Sequence, residues 1–513
     1  MMSSRTNKSI KNASYSFIIQ ILLIIINFIS RTIFIKILGS DYLGINGLYT
    51  NILTVLSLAE LGFGNAIIYS MYKPLAESDN KKIAALLNFY KKIYNIIILV
   101  ILVAGLLLIP FLQYFINSNL DINSLRIYYV LFLFNTLASY IYAYKISILQ
   151  ADQNMYIIKI YHFWTVLIQF VLQTIFLLIY KNYIIYLVIQ ILCTLLNNIS
   201  LNIKINKTYS YLNKQNEQIT KKEKKEIYSN VRATFIQKIS GTIVNNTDNI
   251  LISIMVGTIW VGYYSNYFLI ISAITSILTI LFNSISASVG NLTTEGNIKK
   301  QSNIFSNMVF IAFWICGVCS ICAFNLFNDF IYLWVGKEYV LNEAVVLIIV
   351  INFYIMGMLN PIWTFRDATG LFKDTKFASL ALAISNIVLS IILGKYFKLF
   401  GILIATAISR LITTYWYTPY MLYKKKFNTS SSKYFLKQVV YMLCLIIAYI
   451  IIMPINKYFV ANNYIMFFIK AAVEFILINV IFLIIFHKTE DYKDIYVRFI
   501  KNKLYDKIKL KQK

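Results

Sequence analysis

The chain has 513 residues, 59% of them hydrophobic and only 13% charged, and its 48 Lys and Arg against 21 Asp and Glu leave a net charge of +27. Soluble domains carry a charged fraction of about 25%, so the composition excludes a string of them and points to an all-α, polytopic membrane protein. At about 20 apolar residues per span, the chain could supply a dozen or more spans.

The basic residues stand in short segments between apolar runs, as orientation by the positive-inside rule requires. No nucleic-acid motif accompanies them, so no nucleic acid is expected as a partner. A basic tail with Arg5, Lys8 and Lys11 precedes the first apolar run, 13–38, which is too long for a signal-peptide core and lacks a small-residue cleavage site. It reads as a retained first span. Further runs cover 45–70, 93–116, 126–149, 156–180 and 183–204, before a polar stretch at 205–230 that contains Lys221, Lys222, Glu223, Lys224, Lys225 and Glu226. A second set follows at 232–256, 262–289, 304–328, 339–364, 375–394 and 400–422, with two more at 435–455 and 463–486.

The expected architecture is therefore about 14 transmembrane helices, as two parallel six-helix lobes plus two C-terminal helices. By residue, these are an N-lobe at 1–204, a basic cytoplasmic linker at 205–230, a C-lobe at 231–423, the last two spans at 424–487 and a basic tail at 488–513. Alternating the loops puts about 38 Lys and Arg on the side bearing both termini and about six on the other, so both termini are expected in the cytoplasm.

An internal repeat appears when 218 is added to each position: Gly39 and Gly44 map onto Gly257 and Gly262, Tyr49 onto Tyr267, Asn65 onto Asn283, Lys81-Lys82 onto Lys299-Lys300, and Phe17-Ile18 onto Phe235-Ile236. That offset spans an even number of helices, so the halves share one orientation, a parallel repeat about an axis along the membrane normal. A cleft between the lobes follows.

No P-loop, G-x-S-x-G elbow, H-E-x-x-H pair or dinucleotide fingerprint is present, so no catalytic residue is assigned and an enzyme is not expected. Cys316, Cys319 and Cys322 have an iron–sulfur-like spacing but lie among membrane-core neighbours without a fourth Cys-Pro, and read as packing residues. His162 and His487 lie too far apart in sequence to suggest zinc. The longest external loop, from Asn328 to Glu343, is short for an integral-membrane polymerase or glycosyltransferase, and its Asp329, Lys337 and Glu338 read as solvated.

The remaining candidates are ionisable residues within spans, which usually face a cavity or a partner: Arg31, Glu60, Asp248, Arg410, Lys470 and Glu474. Lys470 and Glu474, four apart on one helix, are expected to neutralise each other. Arg31 can grip phosphate oxygens bidentately, or form a structural pair with Glu60. Both readings stay open. Its repeat partner, Asn249, adjoins Asp248.

Ile29-Ser30-Arg31-Thr32 through Leu38-Gly39-Ser40-Asp41-Tyr42-Leu43-Gly44, then Leu58-Ala59-Glu60-Leu61-Gly62-Phe63-Gly64 and Tyr72-Lys73-Pro74-Leu75, resemble the Wzx-like polysaccharide repeat-unit flippases of low-GC Gram-positive bacteria. Thr247-Asp248-Asn249, Val261-Gly262-Tyr263-Tyr264-Ser265-Asn266-Tyr267, Ser288-Val289-Gly290-Asn291 and Phe365-Arg366-Asp367-Ala368-Thr369-Gly370 extend the likeness over nearly the whole chain. These flippases belong to the multidrug, oligosaccharidyl-lipid and polysaccharide exporter superfamily. The resemblance implies a transporter in the bacterial cell membrane that carries undecaprenyl-diphosphate-linked oligosaccharide from the inner to the outer leaflet for capsular or exopolysaccharide biosynthesis. Its partners would be membrane lipids, the polysaccharide polymerase and glycosyltransferases.

On that reading Arg31, Arg410 and Glu60 belong to the substrate site. The related lipid II flippases bind Na⁺ through an Asp, an Asn and Asp four apart, and a Thr, to which Asp248, Asn386, Ser390 and Thr406 correspond. Ser390 replaces one carboxylate, so coupling to Na⁺ through a weakened site and coupling to H⁺ through Asp248 both stay open, with no other cofactor or metal expected. The chief alternative is a cation-coupled multidrug or small-molecule antiporter of the same superfamily, against which the buried arginines argue. A polymerase and a nonspecific lipid scramblase are the others.

Overall fold

The computed structural model describes residues 2–60, 63–213, 218–294, 297–459 and 461–497, and every regular element among them is helical. Helices satisfy their backbone hydrogen bonds internally, which a chain this apolar needs in lipid. Before the linker come α1 (Met2–Leu38), α2 (Ser40–Leu56), α3 (Phe63–Ala76), α4 (Asn80–Leu108), α5 (Leu112–Phe115), α6 (Ile122–Tyr140), α7 (Ala143–Ala151), α8 (Met155–Tyr180) and α9 (Tyr183–Thr208). After it come α10 (Lys221–Met255), α11 (Thr258–Thr294), α12 (Ile298–Trp334), α13 (Glu343–Ala368), α14 (Phe372–Ile412), α15 (Thr414–Leu422), α16 (Ser432–Tyr458), α17 (Tyr464–Phe486) and α18 (Glu490–Tyr496). Leu61 and Gly62 of the second-span motif, 214–217 of the linker and 498–513 of the tail lie outside the described residues, as do the side chains of Asn65 and Asn283.

Ten of these stretches are long and apolar enough to cross a membrane, or eleven if α6 and α7, bent by 43°, are one span. The remaining expected spans fall on helices that the same test passes over or merges. The 45–70 run is broken into α2, a 3₁₀ turn at Ser57–Glu60 and α3. The 232–256 run is the second part of α10, whose first turns are basic and start at a Thr220–Glu223 capping box.

The apolar stretch Asp374–Phe427 contains a reversal. Lys398 has φ 53° and ψ −133°, outside helical geometry. A Cβ on Gly401 would sit 2.0 Å from the Leu393 carbonyl oxygen, and one on Gly394 2.8 Å from Ile402. Residues eight apart in a continuous helix are about 12 Å apart, so α14 is a hairpin, and its legs are the runs expected at 375–394 and 400–422.

Element boundaries follow the sequence repeat. Starts at Ser40 and Asn80 and an end at Ala76 recur, 218 residues on, at Thr258, Ile298 and Thr294. Asp79 accepts the Lys82 amide and caps α4, and its repeat mate Asn297 accepts the Lys300 amide and caps α12. Gly39 and Gly257 both have positive φ, 86° and 135°, where the chain turns into α2 and α11.

By internal contacts the chain forms two compact units, Met1–Phe268 with Ala383–Ile402, and Leu269–Leu382 with Leu403–Lys513. Within the first unit, α2 and α11 cross where a Cβ on Gly44 would lie 2.1 Å from the Thr258 oxygen and one on Gly262 2.8 Å from the Ser40 oxygen. Ser40 and Thr258 are repeat mates, as are Gly44 and Gly262, so this local contact is reciprocal. The Thr258 hydroxyl, paired with Ser253, also accepts the Asn117 amide.

The second unit is built on aromatic packing. Phe313 of α12 stacks on Tyr441 of α16 with ring centroids 4.0 Å apart, and on Phe482 of α17 at 5.1 Å. Phe305 meets Phe365, Phe427 and Tyr434 in a further cluster. Cys316 lies where a Cβ on Gly357 would be 2.2 Å from its sulfur, so it fills the α12–α13 contact as a packing residue.

Candidate substrate and cation sites

Arg31 lies on α1, half-buried in the first unit, and its Nη1 donates to Ser265 Oγ on α11 at 3.2 Å. Ser265 in turn donates to the Gly262 carbonyl at 2.7 Å, next to the glycine crossing. Of the five N–H donors of a guanidinium, this is the one with a hydrogen bond among the described residues, and its acceptor is neutral. Tyr186, edge-on to Phe34 with centroids 5.1 Å apart, lies close enough to act on the charge.

The Arg31–Glu60 pair does not form. Glu60 Oε1 accepts the Tyr94 hydroxyl at 2.9 Å, and the charge that acts on the carboxylate is that of Lys238 on α10. The sequence singled out both residues but not their partners, because Ser265 is one hydroxyl among many and Lys238, near the start of the expected 232–256 span, was not among the ionisable residues picked out. Asn249, the repeat mate of Arg31, has its Oδ1 buried without a hydrogen-bond partner.

In the second unit, Arg410 is 8% exposed, and its Nη1 donates to Asn352 Oδ1 at 3.3 Å. Asn352 is held by its own donation to the Leu403 carbonyl at 2.8 Å. The Lys470 charge acts on Glu474 as expected, but its direct ion-pair partner is another acid. Lys470 Nζ reaches across to Asp329 Oδ2 of α12 at 2.7 Å, and Asp329 is part of a helix and an ion pair, not a solvated loop. A partner on another helix leaves no mark in the spacing along one helix, so sequence periodicity could not show it.

Asp248 on α10 and Asn386 and Ser390 on α14 are buried in the first unit, the latter two fully, and Ser390 Oγ has no hydrogen-bond partner. A Cβ on Gly394 would lie 3.2 Å from Met255, which brings the two helices together. Counted back from that contact, Asp248 lies seven residues away and Asn386 and Ser390 eight and four. A carboxylate, an amide oxygen and an orphan hydroxyl are hard oxygen donors that fit an alkali cation. Thr406, also buried, belongs to the second unit. Among the described residues no cluster of His, Cys, Asp and Glu could hold a metal ion.

This all-helical architecture, with element boundaries duplicated at a fixed offset, is that of a polytopic membrane protein. The chain belongs to the family described as "Polysaccharide biosynthesis protein", whose profile matches residues 9–289. The fold is shared with the lipid II flippase MurJ in an inward closed conformation, with a TM-score of 0.68 at 18% identity over 93% of this chain and 99% of that one. It is also shared with the Vibrio cholerae MATE transporter VcmN in the bent form, at TM-score 0.56 and 13% identity over 82% of this chain and 98% of that one. An inward-facing MATE family transporter of the MOP superfamily aligns at TM-score 0.55 and 15% identity, over 78% and 95%. No curated protein matches the chain significantly.

Proposed function

We propose that the chain is a flippase that turns undecaprenyl-diphosphate-linked oligosaccharide from the inner to the outer leaflet of a bacterial cell membrane, with both termini in the cytoplasm. The observation that carries this reading is the Arg31 guanidinium, a permanent cation with one neutral partner and its other donors available to a ligand. A diphosphate offers paired oxygens at the spacing of the guanidinium fork. A site for cationic drugs would place no arginine there.

In this mechanism Arg31 and Arg410 take the diphosphate, Glu60 holds the α3–α4 side of the site through Tyr94, and the polyprenyl chain stays in lipid. Alternating access then re-exposes the head group on the far side. Asp248, Asn386, Ser390 and Thr406 supply oxygen ligands for a coupling cation, whose charge would neutralise Asp248. The organisation into an N-lobe, a linker, a C-lobe and two final helices belongs to the same proposal, as do a polymerase and glycosyltransferases as neighbours.

Arg31→Ala is expected to abolish export while the protein stays folded in the membrane, and Arg31→Lys to restore little, because an ammonium lacks the planar fork. Extraction and mass analysis of the lipid-linked intermediate, beside an assay of surface polymer, read the outcome. Normal polymer in Arg31→Ala cells lacking any second flippase overturns the role.

A further inference from the structure

Glu474 of α17 is fully buried in the second unit, and the hydrogen-bonding group that acts on its carboxyl among the described residues is the neutral Asn325 amide. A carboxylate cannot keep its charge in such surroundings at acceptable cost, and the usual escape is to bind a proton. One turn earlier on the same helix, the Lys470 ammonium is also buried but committed to Asp329 at 2.7 Å, with the Asp329 side chain 34% exposed. The three groups thus run from a partly exposed acid through a buried cation to a buried acid.

From α12, Asp329, Asn325 and Cys322 face Glu474, with the Asn325 amide placed to donate to its carboxyl. From α16, packed on α17, Tyr449 turns its ring onto Phe324 at 5.5 Å. No charge from α16 acts on Glu474 among the described residues. Leu326, Phe467, Phe330 and Ala471 pack beside these groups and keep the neighbourhood apolar.

We propose that Glu474 is a proton-binding site whose state is read by Lys470, paired with Asp329 while Glu474 carries its proton and drawn to Glu474 when the proton leaves. The step is an ionisation: the carboxylic O–H breaks, the electron pair stays on the carboxylate and the proton passes to water at Asp329. Lys470 sits four residues from Glu474, within reach of either acid. Exchange of its partner trades a bond between α12 and α17 for one within α17, so protonation fastens these helices together and deprotonation releases them. The site stands on this geometry alone, whereas its use in driving transport rests on the function proposed above.

Infrared difference spectra between acid and alkaline pH, taken on the full chain in lipid, test the site without transport. The wild type should show a deuterium-sensitive carboxylic-acid band that Glu474→Gln removes, with the variant as stable as the wild type because the amide mimics the protonated acid. In Asp329→Asn, Lys470 becomes available to Glu474, and the band should vanish at neutral pH and return on acidification. A spectrum unchanged by Glu474→Gln, or a band in Asp329→Asn that persists at neutral pH, overturns the proposal.

Flipping of a fluorescent lipid-linked oligosaccharide in proteoliposomes then tests coupling. The wild-type rate should vary with pH on the side reached by Asp329, by up to about tenfold per pH unit for one proton, and Glu474→Gln should make it flat. A Glu474→Gln rate that keeps the wild-type pH dependence removes the coupling role. No flipping by the wild type sinks the proposed function and leaves the spectroscopic result standing.

Discussion

The two compact units are held together by opposite means. In the first, backbones meet at Gly44 and Gly262, with hydroxyls of Ser40, Thr258 and Ser253 around the crossing. In the second, Phe313, Tyr441, Phe482 and Phe486 interlock across α12, α16 and α17. Lipid offers apolar side chains no hydrophobic reason to associate, so helices in it adhere through close backbone approach or through shape-matched packing. A glycine crossing buries little surface and leaves polar groups nearby, which suits a place where helices part. An aromatic cluster gains dispersion energy only while it stays assembled.

The contrast is open to attack by substitution. The largest expected effect is from Phe313→Ala, which opens a void in the fully buried cluster and should cost about 3–5 kcal/mol, read as a lowered unfolding temperature in detergent. Gly44→Ala should cost about 1–3 kcal/mol, because a Cβ there would lie 2.1 Å from the Thr258 oxygen. Gly262→Ala should behave alike, and the double variant should fall short of the sum, since both strain one crossing. Additive losses would show that the contact is not shared. The smallest change is expected from Lys437→Met, which removes a bond to Asp491 on α18. Stability should move by about 1 kcal/mol, since the Lys437 side chain is exposed and Asp491 keeps the Ser306 hydroxyl, while amide exchange in α18 quickens.

The spans were legible because hydropathy is a property of single stretches, and the repeat because duplicated turns keep their glycines. Gly39 and Gly257 could be paired by eye before both proved to have positive φ. The contact of Gly44 with Thr258 was not legible, since an offset says which residues are equivalent and nothing about which ones touch. Charge pairing failed for the same reason. Lys470 found its acid on α12 and Glu60 found a tyrosine on α4, although closer candidates stood in the sequence. Within the first unit, Asp248, Asn386 and Ser390 share a buried setting that only the family resemblance had suggested.

The tip of the α14 hairpin carries Lys395, Tyr396, Phe397 and Lys398, all exposed, the two aromatics by 71% and 57%. The amphipathic ring of Tyr396 and the two lysines settle at the headgroup layer of a bilayer, where phenol and ammonium each meet a favourable medium. A hairpin moored there by its bend while both legs run through hydrocarbon cannot slide along the membrane normal without dragging its anchors out of place. Its easy motion is tilt, so a push on either leg is returned as a swing about the tip.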